Sequence, residues 1–107
     1  MAFYLVQAAY SQTGAEHLVK HPQQREEVLR KSCEALGGKL HQFFFSFGKY
    51  DVVLIVELPD NKAAAALSLS AEAGGGVRMV HTTVLLSTTE AMEAMKKAQT
   101  DKYVPPT

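Results

Sequence analysis

The stretch from Phe43 to Leu58, FFFSFGKYDVVLIVEL, constrains this chain more than any other. Phenylalanine, valine and isoleucine dominate both halves of it, and such side chains favour a pleated, packed surface. Gly48 stands between the halves. A two-residue hairpin turn of type II′ needs positive φ at its first position, which glycine adopts freely. With Gly48 and Lys49 as the turn, Phe47 stands opposite Tyr50, Phe45 opposite Val52, Phe43 opposite Leu54 and His41 opposite Val56. Alternation then gives one face His41, Phe43, Phe45, Phe47, Tyr50, Val52, Leu54 and Val56. The other face takes Leu40, Gln42, Phe44, Ser46, Asp51, Val53, Ile55 and Glu57. The first face is almost wholly apolar, and the second is apolar in its middle. Both therefore call for cover.

The rest of the chain supplies partners for this hairpin. Phe3 to Tyr10 is apolar on both sides, as an interior strand is. Ser11 to Gly14 reads as a turn, and Ala15 to His21 as a loop or a helical turn. Pro22 suits the first position of a helix, and Val28, Leu29, Cys33 and Leu36 then recur at helical spacing until Gly37-Gly38. After Leu58, Asp60 can cap an alanine-rich helix that runs to Gly74-Gly75-Gly76. Val77 to Leu86 forms a fourth strand. Ser87-Thr88-Thr89-Glu90 is a capping box for a last helix, striped by Ala91, Met92, Met95 and Ala98. The order is β-α-β-β-α-β plus a C-terminal helix, the split βαβ arrangement. Right-handed crossovers place both main helices on one face of a four-stranded antiparallel sheet, with the first and third strands central. Residues 1–99 are expected to form one α+β domain and 100–107 a tail.

FGKYDVVLIVELPDNKAAAALSL resembles the GYD-domain family, named for a Gly-x-Tyr-Asp motif that Gly48-Lys49-Tyr50-Asp51 matches here. The likeness extends back through Cys33–Leu40 and forward through Val77-Arg78 to Ser87–Glu90. It implies a ferredoxin-like fold related to the dimeric α+β barrels. It brings no activity and no catalytic residues.

Composition narrows the classes of function. Lys plus Arg and Asp plus Glu both number 11, so the formal net charge is zero. The basic excess typical of nucleic-acid binders is missing. Cys33 is the single cysteine, which fits a reducing compartment. No run approaches membrane-spanning length, and MAFYLVQAAY lacks the basic start of a signal peptide. The expectation is a soluble cytoplasmic protein with no cofactor, no metal, no nucleic-acid partner and no membrane contact.

Six residues are candidates for a ligand site: Asp51, Tyr50, Gln42, Ser46, Arg78 and His81. Asp51 can serve as a base or hold a cationic group; equally, it can satisfy backbone N–H groups near the turn. Tyr50 has an amphipathic ring that suits a packed edge. His41 and His81 lie mid-strand, and no spacing of His, Cys or Glu supports a metal site. Arg78 can bind an anion or pair with a surface carboxylate. Cys33 reads as a small core residue, and His17 and His21 as solvated. The pocket is expected between helices and sheet, beside Asp51.

Three functions fit: a small-molecule-binding oligomeric α+β barrel protein, a cofactor-independent oxygenase or isomerase, and a structural or regulatory oligomerisation module. All three make the chain its own partner, at least as a homodimer through the sheet, because two main helices cover only one of its faces. On the hairpin numbering above, that uncovered face is the one with Phe43, Phe45, Val52 and Leu54.

Overall fold

The computed structural model describes residues 1–107. Eight elements follow in order: β1 (Ala2–Tyr10), α1 (Gln12–Lys20), α2 (Glu26–Ala35), β2 (Lys39–Phe45), β3 (Val52–Leu58), α3 (Asn61–Ala73), β4 (Val77–Leu85) and α4 (Thr88–Thr100). The strands form one antiparallel sheet in the order β2-β3-β1-β4. β3 and β1 are central, as their apolar sequences require. The fold is ferredoxin-like.

The core lies between one sheet face and helices α2 and α3. Tyr4 and Val6 of β1 join Val52, Leu54, Val56 and Leu58 of β3, and Cys33, Ala64 and Leu67 close over them. Cys33 is the buried residue of α2, and Ala64 and Leu67 those of α3. Asp60 caps α3 by accepting the Ala63 N–H at 2.9 Å. At Gly38 an added Cβ would stand 2.0 Å from the Glu57 carbonyl oxygen, so only glycine lets β2 begin hard against the end of β3.

Four expectations are corrected here. First, the helices cover the Phe43, Val52, Leu54 and Val56 face, so the uncovered face is the opposite one. It carries Gln42, Phe44, Val53 and Ile55 of the hairpin beside Leu5 and Gln7 of β1 and His81 and Thr83 of β4. Secondly, the ladder slips between Leu40 and Gln42, leaving Leu40 opposite Val56. This bulge frees His41 from the apolar face and lets Leu40 into the core. Burying leucine and leaving histidine at the surface is the cheaper choice. His41 Nε2 instead meets Glu57 Oε1 at 2.9 Å and its ring lies 5.2 Å from that of Phe3.

Thirdly, the hairpin closes through a longer loop over residues 47–50, sealed by the Ser46 N–H donating to the Asp51 carbonyl at 2.8 Å. The pairing Phe45–Val52 and Phe43–Leu54 is unchanged, and Gly48 does take positive φ, +130°. Lastly, the turn expected at Ser11 to Gly14 is the start of a helix, and of the two readings of Ala15 to His21 the helical one holds, as far as Lys20. Ser11 is the N-cap of α1, its hydroxyl accepting the Gly14 N–H at 3.0 Å. Helix α2 begins at Glu26, so Pro22 lies in the link between two helices rather than at a helix start.

Helix α4 stands apart. Its capping box is formed, with Ser87 and Glu90 each accepting the other's backbone N–H. No residue of it is buried, and it has no substantial packing against any other element. The radius of gyration is 17.0 Å, against about 13 Å for a compact domain of roughly this length. No helix is long and apolar enough to cross a membrane.

Candidate functional site

A cavity of about 400 Å³ opens between the covered sheet face and helices α2 and α3. Val6, Ala8, Val52 and Leu54 form its floor, Val28 and Leu29 of α2 one wall, and Leu67 and Ala71 of α3 the other. Small residues leave this space. Ala8, Ala71, Gly74 and Gly76 all border it, where larger side chains would fill it. Helix α1 does not close it over, because it is drawn to the Gly74–Gly76 loop. An added Cβ on Gly14 would lie 2.1 Å from the Gly76 carbonyl oxygen. The Ser11 N–H donates to that same oxygen at 3.0 Å, and the Ser11 hydroxyl to the Gly75 carbonyl at 2.7 Å.

Five polar residues border the cavity: Tyr10, Arg25, Ser32, Ser68 and Ser70. Two of the serines are engaged. Ser68 bonds Thr82 at 3.0 Å, and Ser70 donates to the Leu67 carbonyl at 3.0 Å. Arg25 is the one charged lining residue. Its Nη1 donates to Gln23 Oε1 at 3.1 Å, and it is in no ion pair. The chain's ion pairs join Arg30 to Glu26 and Glu27, and His41 to Glu57. Burial pushes the Tyr10 phenol above its ordinary range, opposed by the Arg25 guanidinium and assisted by the Asp51 carboxylate. At neutral pH Tyr10 is therefore a protonated hydrogen-bond donor.

None of the six expected residues borders this cavity. Asp51 is tied to β1: its carboxylate accepts the Tyr10 N–H at 2.8 Å and its own N–H donates to the Ala8 carbonyl at 2.8 Å. The sheet ladder is irregular at Ala9/Tyr10, and the carboxylate supplies the acceptor that Tyr10 requires there. Ser46 likewise holds the hairpin loop, its hydroxyl donating to the Tyr50 carbonyl at 2.8 Å. Tyr50 and His81 do come together, with ring centroids 6.3 Å apart. The Lys49 ammonium lies 5.8 Å from the Tyr50 ring. Gln42 is exposed on the uncovered face, and Arg78 is exposed without an ion pair. This cavity is bordered by Tyr10 and not by Asp51. No three His, Cys, Asp or Glu side chains converge as a metal-binding group.

Tyr10, Arg25 and Ser32 were not among the expected residues. The available signal was weak: small residues at Ala8 and Ala9 before Tyr10, and one arginine in the link HPQQR.

The sequence matches the family model of the GYD domain over residues 4–95. It matches no curated protein. Among solved structures, it is similar to the crystal structure of FFRP-DM1, with 13% identity and a TM-score of 0.52 over 80% of this chain and 100% of that one. It is also similar to hypothetical protein PHS023 from Pyrococcus horikoshii, with 12% identity and a TM-score of 0.51 over 81% of this chain and 92% of that one. At such identity these likenesses concern the fold.

Proposed function

The chain belongs to the GYD-domain family, and from that premise we propose that it is a homo-oligomeric binding protein for a small, largely apolar molecule held between the sheet and helices α2 and α3. The observation that carries this reading is the cavity itself. Its volume of about 400 Å³ lies in the range of small-molecule pockets, and apolar walls with a few convergent polar groups are their usual make-up. Binding is favoured over acid–base catalysis because the lining holds no histidine and no carboxylate, and Tyr10 keeps its proton. Self-association is supported by the uncovered sheet face and by the unpacked α4. The buried free thiol of Cys33 suits the cytoplasm.

The test is a thermal-shift screen of a metabolite library against wild type and Ala71→Phe, which fills the cavity from the α3 side. Ligand at a hundredfold excess over Kd stabilises by about 2.7 kcal/mol, so true ligands raise the wild-type Tm by several degrees. In a folded Ala71→Phe protein that rise disappears. Ligands whose shift survives the filling would place binding elsewhere and refute this site.

A further inference from the structure

Resting on that binding reading of the same cavity, we propose that its ligand is a small amphiphilic monocarboxylate, the acid group held by Arg25 and Tyr10 and the apolar remainder lodged between Leu29, Leu54 and Leu67. The charge distribution of the lining leads to this class. Arg25 is the one charged residue at the cavity, and it is positive. The carboxylates next to it in sequence, Glu26 and Glu27, are engaged elsewhere, with Arg30 at 2.7 and 3.5 Å. Asp51 spends one oxygen on the Tyr10 backbone N–H and does not border the cavity. Arg25, half-buried at this lining, therefore has its positive charge unmatched and only one of its five N–H donors taken, by Gln23.

An apolar cavity with one unmatched cation discriminates by charge sign. A cationic ligand would set like charges together beside apolar walls, and a neutral one would leave the guanidinium without an anion. A carboxylate matches the planar fork of arginine and forms two charge-assisted hydrogen bonds to it. The Tyr10 phenol, protonated at neutral pH, is a further donor on the same lining. A phosphate ester fits less well, because its second negative charge has no partner here. The volume, near the lower end for organic ligands, limits the apolar part to a medium-length chain or a single aromatic ring.

Isothermal titration calorimetry tests this with matched pairs: octanoate against octan-1-ol, and phenylacetate against 2-phenylethanol, with octylamine as the cation. In at least one pair, wild type should bind the acid ten times or more tighter than the alcohol, and octylamine weakest of all. Arg25→Gln, which removes the cation and keeps a polar side chain, should abolish the acid's advantage over the alcohol. Tyr10→Phe should reduce the advantage in part. Alcohols that bind as tightly as acids in both pairs would overturn the carboxylate assignment, and an acid preference that survives Arg25→Gln would overturn Arg25 as its holder; either result leaves the cavity reading standing. If none of the five probes binds wild type, both readings fail.

Discussion

Two glycines carry different burdens, and substitution separates them. Gly48 has φ of +130° with no atom within 4 Å of an added Cβ. Its demand is purely conformational. Gly48→Val should cost more than about 1 kcal/mol through backbone strain alone, and an unchanged denaturation midpoint would contradict that. Gly38 has the opposite problem, a backbone oxygen and the Leu58 side chain where its Cβ would go. Gly38→Ala should cost about 1–3 kcal/mol by overpacking, read as a lower midpoint in urea. Buried Cys33 and half-buried Tyr10 also set an alkaline limit. Burial raises both the Cys33 thiol and the Tyr10 phenol above their ordinary values. As pH climbs, the unfolded chain releases these protons before the folded one does. The unfolded state then binds fewer protons, so stability falls with rising pH from about 8.5 upward. Unfolding free energies measured at intervals from neutral to alkaline pH should show that decline. Cys33→Ala should flatten its lower part and Tyr10→Phe its upper part.

At the scale of elements, the bulge in β2 and the detachment of α4 matter most. One extra residue at His41 turns Leu40 inward and hands His41 to Glu57 on the opposite face. The alternation that links Gln42 to Phe45 therefore does not extend to the start of the strand. Helix α4 depends on its own caps, since packing contributes so little to it. The Glu90 carboxyl is held below its usual value by hydrogen bonds with Ser87, the signature of a formed capping box. Loss of an N-cap hydroxyl typically costs about 1 kcal/mol. Ser87→Ala should therefore speed amide hydrogen exchange across the first turns of α4 and leave the unfolding midpoint of the sheet nearly unchanged. Equal loss of protection in β1 and β3 would show that α4 is coupled to the core after all.

For the molecule as a whole, the problem is what remains uncovered. Phe44 is 59% exposed on the uncovered sheet face, and Met92 and Met95 are 58% and 67% exposed on α4. Monomers rarely expose an apolar patch beyond a few hundred Å², and each large side chain buried is worth about 1.5–3 kcal/mol. Two-fold pairing of identical sheet faces covers such a surface with itself. Light scattering coupled to size-exclusion chromatography should then find a dimer or larger species at micromolar concentration. Phe44→Glu should yield a folded monomer. Leu54→Glu should not, because Leu54 is 4% exposed and belongs to the core beneath the helices. A wild-type monomer at that concentration would refute the pairing.

Local chemistry was enough to determine the order of the four strands and of helices α2, α3 and α4, the central places of β1 and β3, the caps at Asp60 and Ser87, and the positive φ at Gly48. Each of these depends on neighbours in sequence or on a period of two or 3.6 residues, so each is written in the chain. The pairing of Phe43 with Leu54 was equally readable, since a hairpin aligns its own arms. Which hairpin face meets the helices was not, because both faces are apolar and periodicity sorts residues into faces without saying what covers them. The bulge at His41 came from the competition between Leu40 and His41 for one buried place, a contest that exists only once β3 and the helices are assembled. The extent of helix α1 was hidden because the segment is short and buries no residue of its own; it is held instead by Ser11 and Gly14 against a glycine loop more than sixty residues away. The cavity, with Arg25 and Tyr10 on its lining, is a matter of how far the helices stand from the sheet, and only tertiary packing decides that distance.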